Sequence, residues 1–298
     1  MIKACSICRN GNLEKYWNGD SILFCKACGH GLTNKNYNKG VYEPDGAIHR
    51  FGLVVEILLR TLNYGRCLSI LAKVKKKRGS ILDSGCGRGE VVSFFNKLGW
   101  RSIGTELNDR TATESRNKGL KIVISKEFPN FVSKNSGTFD LITAFHNLEH
   151  IDDVNLFIRN CNSLLGGNGR IFIEVPNFNS FQSNIAREEW ILLDPKNHIH
   201  HFTKESLILL LNNNGLGFKF LNTWSLKFGP IGMLLAILSK NKKLIRILQF
   251  ADLKHVKFNS LFPIRVLLIA FLLPICFLVE MFSTISGRGA VLKVIAYK

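Results

Sequence analysis

The stretch Ile81–Glu90, which reads ILDSGCGRGE, joins a short apolar run to a polar segment through three closely spaced glycines. The apolar run predicts a buried β-strand, and the segment EVVSFFNKLGW that follows has the spacing of a helix. Glycines let the backbone turn tightly and approach a ligand, and the first amides of a helix favour a carboxylate or phosphate. Taken alone, the stretch also admits a dinucleotide or merely a tight structural turn.

The alternation of strand and helix continues after this stretch. Further strands are predicted for SIGTEL, KIVIS, FDLITAF and GRIFIEV. Helices are predicted after Asp109, at a cap formed by Asp152 and Asp153, and for TKESLILLLNNNGL, where Thr203 is the cap and Ser206 replaces the usual Glu or Gln of a capping box. Such alternation indicates a parallel, doubly wound α/β sheet covered on both faces. Ligands of these sheets bind beyond the carboxyl ends of the strands.

Glu106 ends the second predicted strand, where an acidic side chain can accept hydrogen bonds from both hydroxyls of an adenosine ribose. Together, ILDSGCGRGE, IGTEL, FDLITAFHNLEHIDD and GGNGRIFIEVPN resemble, in order and spacing, the class I S-adenosylmethionine-dependent methyltransferases. The resemblance covers residues 79–222 and extends to the last strand, GRGAVLKVIAYK. It implies a Rossmann-like, seven-stranded sheet with an antiparallel last strand, and S-adenosylmethionine as cofactor.

The resemblance also implies which residues bind that cofactor. Asp83 matches the residue near the methionine amine, and Glu106 matches the ribose ligand. Cys86 occupies a slot that cysteine often fills in this motif, so we interpret it as a small packing residue rather than a nucleophile. For the acidic contact to adenine the chain offers only Glu127, which is displaced from the usual position. The full predicted set is Asp83, Gly85, Cys86, Gly87, Gly89, Glu106 and Leu107.

Four of the eight cysteines form two C-x-x-C pairs near the N-terminus, namely Cys5, Cys8, Cys25 and Cys28. Four thiolates close a tetrahedral zinc site with no open position, which predicts a structural metal. Buried free thiols explain the pattern less well, because so short a segment could hardly build a core without a staple. Residues 1–36 are therefore predicted to be a zinc-ribbon-like module, in which His30 is expected to be solvent-exposed rather than a ligand.

Histidines gather in two segments, AFHNLEHIDD and NHIHHFTKESL, at the cofactor end of the predicted sheet. Both resemble segments of methyltransferases that act on sugars, quinones and other small molecules. Methyl transfer to a hydroxyl or an acidic carbon requires removal of a proton, and histidine suits this because its pKa is about 6.5. The predicted catalytic residues are His150 and His201 first, then Glu149 and His146. These residues could instead cap a helix or brace a loop, and a zinc site of His198, His200 and His201 lacks an evident fourth ligand.

The formal charge of +18 favours anionic partners, unless it reflects a general bias towards Lys and Asn. Residues 225–289 contain nine basic residues but only two acidic ones, Asp252 and Glu280. The basic residues alternate with apolar runs, a pattern that fits an anionic membrane surface better than RNA. We therefore predict a sugar or lipid-linked saccharide of cell-envelope glycan biosynthesis as substrate, with nucleic acid disfavoured. The alternatives are a quinone or other lipid, ribosomal RNA, or a non-enzymatic cofactor-binding scaffold. The nine residues are Lys227, Lys240, Lys242, Lys243, Arg246, Lys254, Lys257, Arg265 and Arg288.

The apolar run Val266–Val279 is 14 residues long. As a helix it would measure about 21 Å against about 30 Å of hydrocarbon, and Glu280 would end it with a charge. Because the final strand must rejoin the sheet, we predict an in-plane helical insertion over residues 225–289 within a methyltransferase domain of residues 79–298. Residues 37–78 are predicted to be a helical linker. The N-terminus has no apolar signal region, so a cytoplasmic, peripheral membrane protein is expected, and the apolar segment could equally form a homodimer interface.

Overall fold

The computed structural model describes residues 4–17, 20–34, 37, 53–74, 76–239 and 262–298. Six of the nine basic residues counted in the insertion, at positions 240–257, lie outside these residues, as does most of the first half of the predicted linker.

Two β-sheets account for the strands. The strands are β1 Leu13–Lys15, β2 Ile22–Cys25, β3 His30–Thr33, β4 Ser80–Ser84, β5 Arg101–Glu106, β6 Ile122–Ile124, β7 Phe139–Phe145, β8 Leu165–Pro176, β9 His200–His201, β10 Gly217–Phe220 and β11 Val291–Tyr297. The large sheet has seven strands in the order β10-β11-β8-β7-β4-β5-β6, and the small one has the order β1-β2-β3-β9. In the large sheet β11 runs antiparallel to both neighbours, whereas β4–β8 are parallel. The fold predicted from the sequence is confirmed.

Nine α-helices lie within the described residues, and most connect the strands of the large sheet. They are α1 Leu53–Val74, α2 Glu90–Lys97, α3 Asp109–Arg116, α4 Phe128–Lys134, α5 Val154–Leu164, α6 Phe181–Ala186, α7 Lys204–Asn213, α8 Pro230–Ser239 and α9 Phe262–Ile285. The predicted caps are present: the Asp153 side chain accepts from Leu156 N, and Thr203 and Ser206 form a reciprocal capping box in which Ser replaces Glu or Gln.

The core fills both faces of the large sheet, because its central strands are apolar on both sides. One face packs Ile142 and Ile173 against Phe157 and Ile158 of α5. The other packs Ile81 and Leu141 against Phe95 and Trp100, together with Cys67 and Ile70 of α1. Helix α1 therefore covers the sheet, although the sequence placed it in a linker.

The N-terminal module is joined to the large domain by backbone pairing. Strand β9 extends the module's sheet, with Gly31 opposite His201 and Leu32 opposite His200. Close approach is required here, since a Cβ on Gly29 would lie 2.9 Å from Thr203 Oγ1. The module thus shares a sheet edge with the histidine-rich segment.

The insertion before the last strand begins and ends at one point, as predicted: Gly289 N donates to Thr223 Oγ1 at 3.1 Å. Helix α9 continues beyond Glu280 to Ile285, so the prediction of a 14-residue apolar run that is closed by Glu280 and too short to cross a membrane is wrong. The reason is that the Glu280 carboxylate turns inward, where it accepts from Gln182 Nε2 at 3.0 Å and Ala290 N at 2.9 Å. Among the described residues, one span, Leu267–Ile285, is long and apolar enough to cross a membrane by length and composition alone.

Candidate functional site

The glycine turn after β4 has the backbone that its sequence requires. Gly85, Gly87 and Gly89 have φ values of 70°, 51° and 74°, which favour glycine strongly. At Gly85 there is also no space, because a Cβ would lie 2.3 Å from Asn147 Oδ1. The turn therefore passes directly under the loop that follows β7.

A cavity of about 440 Å³ opens above this turn, and we call it the glycine-loop cavity. Of the predicted cofactor residues, Gly85, Gly87, Glu106 and Leu107 line it, whereas Asp83, Cys86 and Gly89 lie behind its wall. The two oxygens of Glu106 accept from Gly87 N and Asn108 N, both at 2.9 Å. These bonds fix the carboxylate at the cavity wall and tie the end of β5 to the glycine turn.

Asp83 is buried at the base of the turn, where Thr143 Oγ1 donates to its Oδ1 at 2.6 Å. Burial raises the pKa of the Asp83 carboxyl to about 7, an effect that the Thr143 hydrogen bond and the charge of Arg66 oppose. A cation bound nearby would favour the ionised form. The methionine amine of S-adenosylmethionine would be such a cation, but Asp83 does not itself line the cavity, so its implied role stays a prediction.

Two neighbours of the turn clarify the remaining predictions. The Cys86 thiol is buried against Gly104, where an added Cβ would lie 2.5 Å from its Sγ, and burial raises its pKa. This geometry agrees with a packing role of Cys86 rather than a nucleophilic one.

Glu127, the residue considered for the contact to adenine, accepts from Arg116 Nη2 at 3.0 Å and Ile124 N at 3.2 Å and does not line the cavity. Phe128 is the neighbouring residue that lines the cavity.

His146 lies between two buried carboxylates directly after β7. Its Nε2 is 3.2 Å from Glu174 Oε1 and its Nδ1 is 3.4 Å from Glu149 Oε1. Although burial lowers the pKa of His146, hydrogen bonds and charges from both glutamates raise it overall. His146 also has a φ of 48°, a left-handed conformation that costs about 1–3 kcal/mol in a residue other than glycine. Its geometry therefore favours a fixed, protonated imidazolium.

His150 has a different environment, since its Nδ1 lies 2.9 Å from the carbonyl oxygen of Asn197. A carbonyl can only accept, so Nδ1 carries the proton in the neutral ring and Nε2 is the basic nitrogen. The residue lines the glycine-loop cavity, beside Asp152 and Asp153. His150 is thus oriented as a proton acceptor at the predicted cofactor site.

His30, His200 and His201 lie where the N-terminal module contacts the large domain. His201 is buried, and its Nε2 lies 2.9 Å from Thr33 Oγ1 of β3. His30 is fully buried, not exposed as predicted, with its Nε2 2.9 Å from His200 Nδ1. Burial lowers the pKa of His30, His200 and His201, which keeps their rings neutral. This geometry gives His201 a structural role and opposes its predicted role as a base.

Two further cavities continue from the first. The histidine cavity, about 300 Å³, shares His146 with the glycine-loop cavity and is also lined by Glu149, His198 and Phe228. The lysine cavity, about 300 Å³, shares Asn63, Arg66 and Lys227 with the histidine cavity. The three cavities therefore form a row across the carboxyl ends of the strands, the position at which α/β sheets bind ligands.

The four N-terminal cysteines match a zinc site. Their sulfurs lie within 4.8 Å of one another, with Cys5–Cys28 at 3.6 Å and Cys8–Cys25 at 3.4 Å. A tetrahedron with Zn–S bonds of about 2.3 Å has S–S edges of about 3.8 Å, close to these distances. Donor atoms of Glu149, His150 and His198 also lie within 4.8 Å of one another, which unites one late histidine with the loop after β7.

Several residues that line the cavities were not predicted from the sequence. Arg66, Asn147, Glu174 and Lys227 are separated widely along the chain and come together only through the fold. Glu174 was visible as an acidic residue inside the apolar run GRIFIEV, an unusual position for a buried strand. Lys227 and Phe228 come from the insertion, which the sequence connected with membranes rather than with the site.

A seven-stranded sheet of this order, with a glycine turn and an acidic residue after its first two central strands, defines a class I S-adenosylmethionine-dependent methyltransferase. The chain belongs to the methyltransferase-domain family, which matches residues 53–218. A methyltransferase from Archaeoglobus fulgidus shares the fold with a TM-score of 0.50 at 21% identity, over 80% of this chain and 94% of that one.

Curated relatives match about half of the chain. The ubiquinone biosynthesis O-methyltransferase of Xanthomonas axonopodis pv. citri (strain 306) is 28% identical over 169 residues, which is 53% of this chain and 71% of the relative. The Bordetella avium (strain 197N) protein of the same name is 29% identical over 136 residues, covering 42% and 56%. The enzyme is therefore an S-adenosylmethionine-dependent methyltransferase.

Proposed function

We propose that the enzyme methylates a hydroxyl oxygen of a lipid-borne small molecule, and that the acceptor binds in the histidine cavity. The observation that carries the proposal is the position of His146, which lines both this cavity and the glycine-loop cavity. An acceptor in one cavity would thus face the cofactor in the other. When bound, S-adenosylmethionine supplies an electrophilic methyl group. Asp83, Gly85, Gly87, Glu106 and Leu107 are proposed to hold it.

His150 is proposed as the general base. Its Nδ1 is hydrogen-bonded to the Asn197 carbonyl, so Nε2 is the basic nitrogen of the neutral ring, and we assign to it the proton of the acceptor hydroxyl. The carboxylate of Glu149 lies within 4.8 Å of a His150 ring nitrogen and would stabilise the resulting imidazolium. The positive charge of His146 would favour the developing oxyanion of the acceptor.

The nature of the acceptor is supported by relatives rather than by site geometry. The named relatives are O-methyltransferases of ubiquinone biosynthesis, which favours a hydroxylated quinone-type lipid over the glycan predicted first from the sequence. A lipid-linked saccharide remains the second candidate, because polar groups of Asn63, Arg66, Asp194 and Lys227 line the histidine cavity. Both candidates are hydroxyl acceptors carried on lipid.

Helix α9 supports a position at the membrane. Large apolar side chains between 60% and 78% exposed recur along one side of it: Leu267, Phe271, Leu278, Phe282 and Ile285. Glu280 faces the opposite way and is buried. The insertion that contains α9 has a strongly basic sequence, so the proposed partner is an anionic bilayer that the helix contacts in plane. Trp224, at the start of the insertion, stacks edge-on against Phe277 of α9 at 5.2 Å.

The test follows label from tritiated S-adenosylmethionine into purified acceptor fractions. Incubation with total membrane lipid, separated into quinone-type and glycan-linked fractions, should label one lipid fraction. His150→Gln should abolish that label, whereas Leu68→Ser, on an exposed face of α1, should retain it. Label in RNA alone would contradict the proposal, as would equal lipid labelling by the wild-type enzyme and His150→Gln.

A further inference from the structure

The lysine cavity is lined by more basic than acidic side chains. Its lining includes four basic side chains and a single carboxylate, that of Glu174. The basic residues come from α1, from the connection after β10 and from β11: Arg66, Lys73, Lys227 and Lys293. Elements that are distant in sequence therefore contribute positively charged side chains to the lysine cavity.

Glu174 cannot neutralise this charge, because it already has several partners. Its Oε1 lies 3.2 Å from both Arg66 Nη1 and His146 Nε2, and its Oε2 lies 4.0 Å from Lys293 Nζ. Burial raises the pKa of Glu174, but these cations lower it to about 2, so the carboxylate is fully ionised. The single negative charge of Glu174 is thus shared by Arg66, His146 and Lys293, and none remains for Lys73 and Lys227.

Lys227 and Lys73 are the two basic residues of this lining that form no ion pair with a carboxylate of the described residues. The Lys227 Nζ lies 4.8 Å from the centre of the Phe228 ring. Protein atoms packed around Lys227 lower its pKa and Arg66 lowers it further, whereas Glu174 and Glu90 raise it. Because the Lys227 side chain is exposed, its ammonium group can pair with an anion that enters the cavity.

The position of the cavity connects this charge with the reaction. Asn63, Arg66 and Lys227 line both the lysine cavity and the histidine cavity, so a ligand could extend through the two spaces. Trp224 and Leu226 form part of the same wall, and Trp224 contacts α9. The lysine cavity thus lies between the proposed acceptor site and the apolar helix.

We infer that the lysine cavity binds an anionic phosphate or diphosphate group of the acceptor while the hydroxyl to be methylated occupies the histidine cavity. The inference rests on the proposed function for the identity of the ligand as acceptor, and it favours the second candidate, a lipid-linked saccharide, because a quinone-type lipid carries no phosphate. Arg66 donates from Nη1 to Glu174 and from Nη2 to Asn63, and its remaining N–H donors suit phosphate oxygens, while the lysines add point charges. The group could belong to a lipid headgroup or to a water-soluble phosphate ester, since both present the same chemistry.

Binding of inorganic pyrophosphate tests the site without requiring turnover. Calorimetry on the full chain would be done with the glycine-loop cavity saturated by S-adenosylhomocysteine, so that the probe cannot bind at the glycine turn. Lys227→Met and Lys73→Met should each weaken pyrophosphate binding about 10-fold or more, and Lys118→Met, an exposed lysine after α3, should leave it unchanged. Affinity should also fall between 0.05 and 0.5 M salt, in line with roughly threefold shorter screening lengths.

A second arm separates the two sources of phosphate. Farnesyl diphosphate binding at least 10-fold more tightly than pyrophosphate would assign the site to a lipid headgroup, and equal affinities would assign it to a water-soluble ester. Absence of pyrophosphate binding by a chain that binds S-adenosylhomocysteine would overturn the inference, as would equal binding by Lys227→Met and the wild type. Pyrophosphate binding without methyl transfer to any lipid would instead contradict the proposed function and leave the anion site standing.

Discussion

Ile199 N donates to the backbone carbonyl of Glu149 at 2.8 Å, and the carbonyl of Ile199 accepts from Thr33 N at 2.9 Å. The loop that carries Glu149 and His150 is therefore two backbone hydrogen bonds away from β3 of the cysteine module. Since β3 follows Cys28 after one residue, the order of the N-terminal module and the order of the proposed catalytic loop are expected to depend on each other.

Removal of zinc should consequently loosen the active-site loop. Metal analysis should give about one zinc per chain, and chelation should lower Tm by about 5–10 °C, as expected for a loss of several kcal/mol. Hydrogen exchange should accelerate at residues 146–150 and 198–201. A Cys25→Ser variant should show the same exchange pattern without chelator and no further change with it. Unchanged exchange at residues 146–150 would separate the module from the site.

Cofactor affinity should depend on pH through Asp83. Because burial raises the pKa of Asp83 to about 7, the carboxyl is largely protonated below that pH and cannot pair with the cofactor amine. The affinity for S-adenosylhomocysteine should therefore fall by up to about 10-fold per pH unit below 7 and level off above it. Calorimetry at pH 6, 7 and 8 measures this.

The matched variant for this test is Asp83→Asn, which should bind weakly at every pH. The raised pKa stabilises the cofactor-free fold below the ordinary pKa of an aspartate, and this contribution is lost as pH rises through about 7. Cofactor-free Asp83→Asn should accordingly unfold at a higher temperature than the wild type at pH 8. A variant that keeps both wild-type affinity and its pH profile would remove Asp83 from the cofactor site.

His150 and His201 should behave differently when replaced by glutamine. His150→Gln should lower kcat about 100-fold or more, because Gln cannot accept the proton, while the protein remains folded. His201→Gln should mainly lower Tm, since the buried contact with Thr33 is disturbed. A double-mutant cycle with Thr33→Val should give a coupling free energy of about 0.5–3 kcal/mol. Loss of turnover in His201→Gln at unchanged stability would restore the role predicted from the sequence.

Gly85→Ala tests the packing of the glycine turn against Asn147. Alanine would have to adopt the positive φ of Gly85, and its Cβ would lie 2.3 Å from Asn147 Oδ1. Cofactor binding should therefore be lost, and the free energy of unfolding should drop by about 1–3 kcal/mol. Gly167→Ala is the control, because no atom lies within 4 Å of its added Cβ. Chemical denaturation and calorimetry measure the two effects, and wild-type cofactor affinity in Gly85→Ala would count against this geometry.

Membrane contact should depend on the exposed side of α9. Phe271 and Phe282 are 68% and 66% exposed, and replacing both by serine removes about 2–3 kcal/mol of apolar burial per side chain from any bilayer contact. Sedimentation with anionic vesicles should therefore decrease at least 10-fold. Leu68→Ser, which removes an exposed leucine from α1, should sediment like the wild type. Equal sedimentation of all three proteins, or dimerisation that the double variant abolishes, would favour a protein partner instead.

The sequence predicted those parts of the fold that depend on local patterns. Apolar runs ending in glycine located β4 and its turn, and the Asp153 and Thr203 caps located α5 and α7. The histidines were harder, because a pattern places them at one end of the sheet without saying which way each ring points. His146, His150 and His201 follow neighbouring strands, yet only the pairing of β9 with β3 turns His201 away from the cavities.

Long-range contacts explain what the sequence could not reveal. Lys227 lies in a segment whose composition suggested lipid, but its side chain lines the lysine and histidine cavities, and Glu174 of β8 and Lys293 of β11 share the lysine cavity with it. Glu280 was expected to stop a helix, and a buried amide on α6 accommodates it instead. Each of these outcomes depends on a partner more than 40 residues away.

The hydrogen bond between Thr223 and Gly289 also has a meaning for how such enzymes diversify. The two ends of the insertion are held together by this one hydrogen bond. Residues 224–288 therefore connect β10 and β11 as a short loop would, and a different segment could replace them without changing the register of the two strands. Because residues 224–288 also contribute Lys227 and Phe228 to the histidine cavity, exchange of this one segment would change the acceptor site together with the apolar surface that α9 presents, while the glycine turn and His150 stay unchanged.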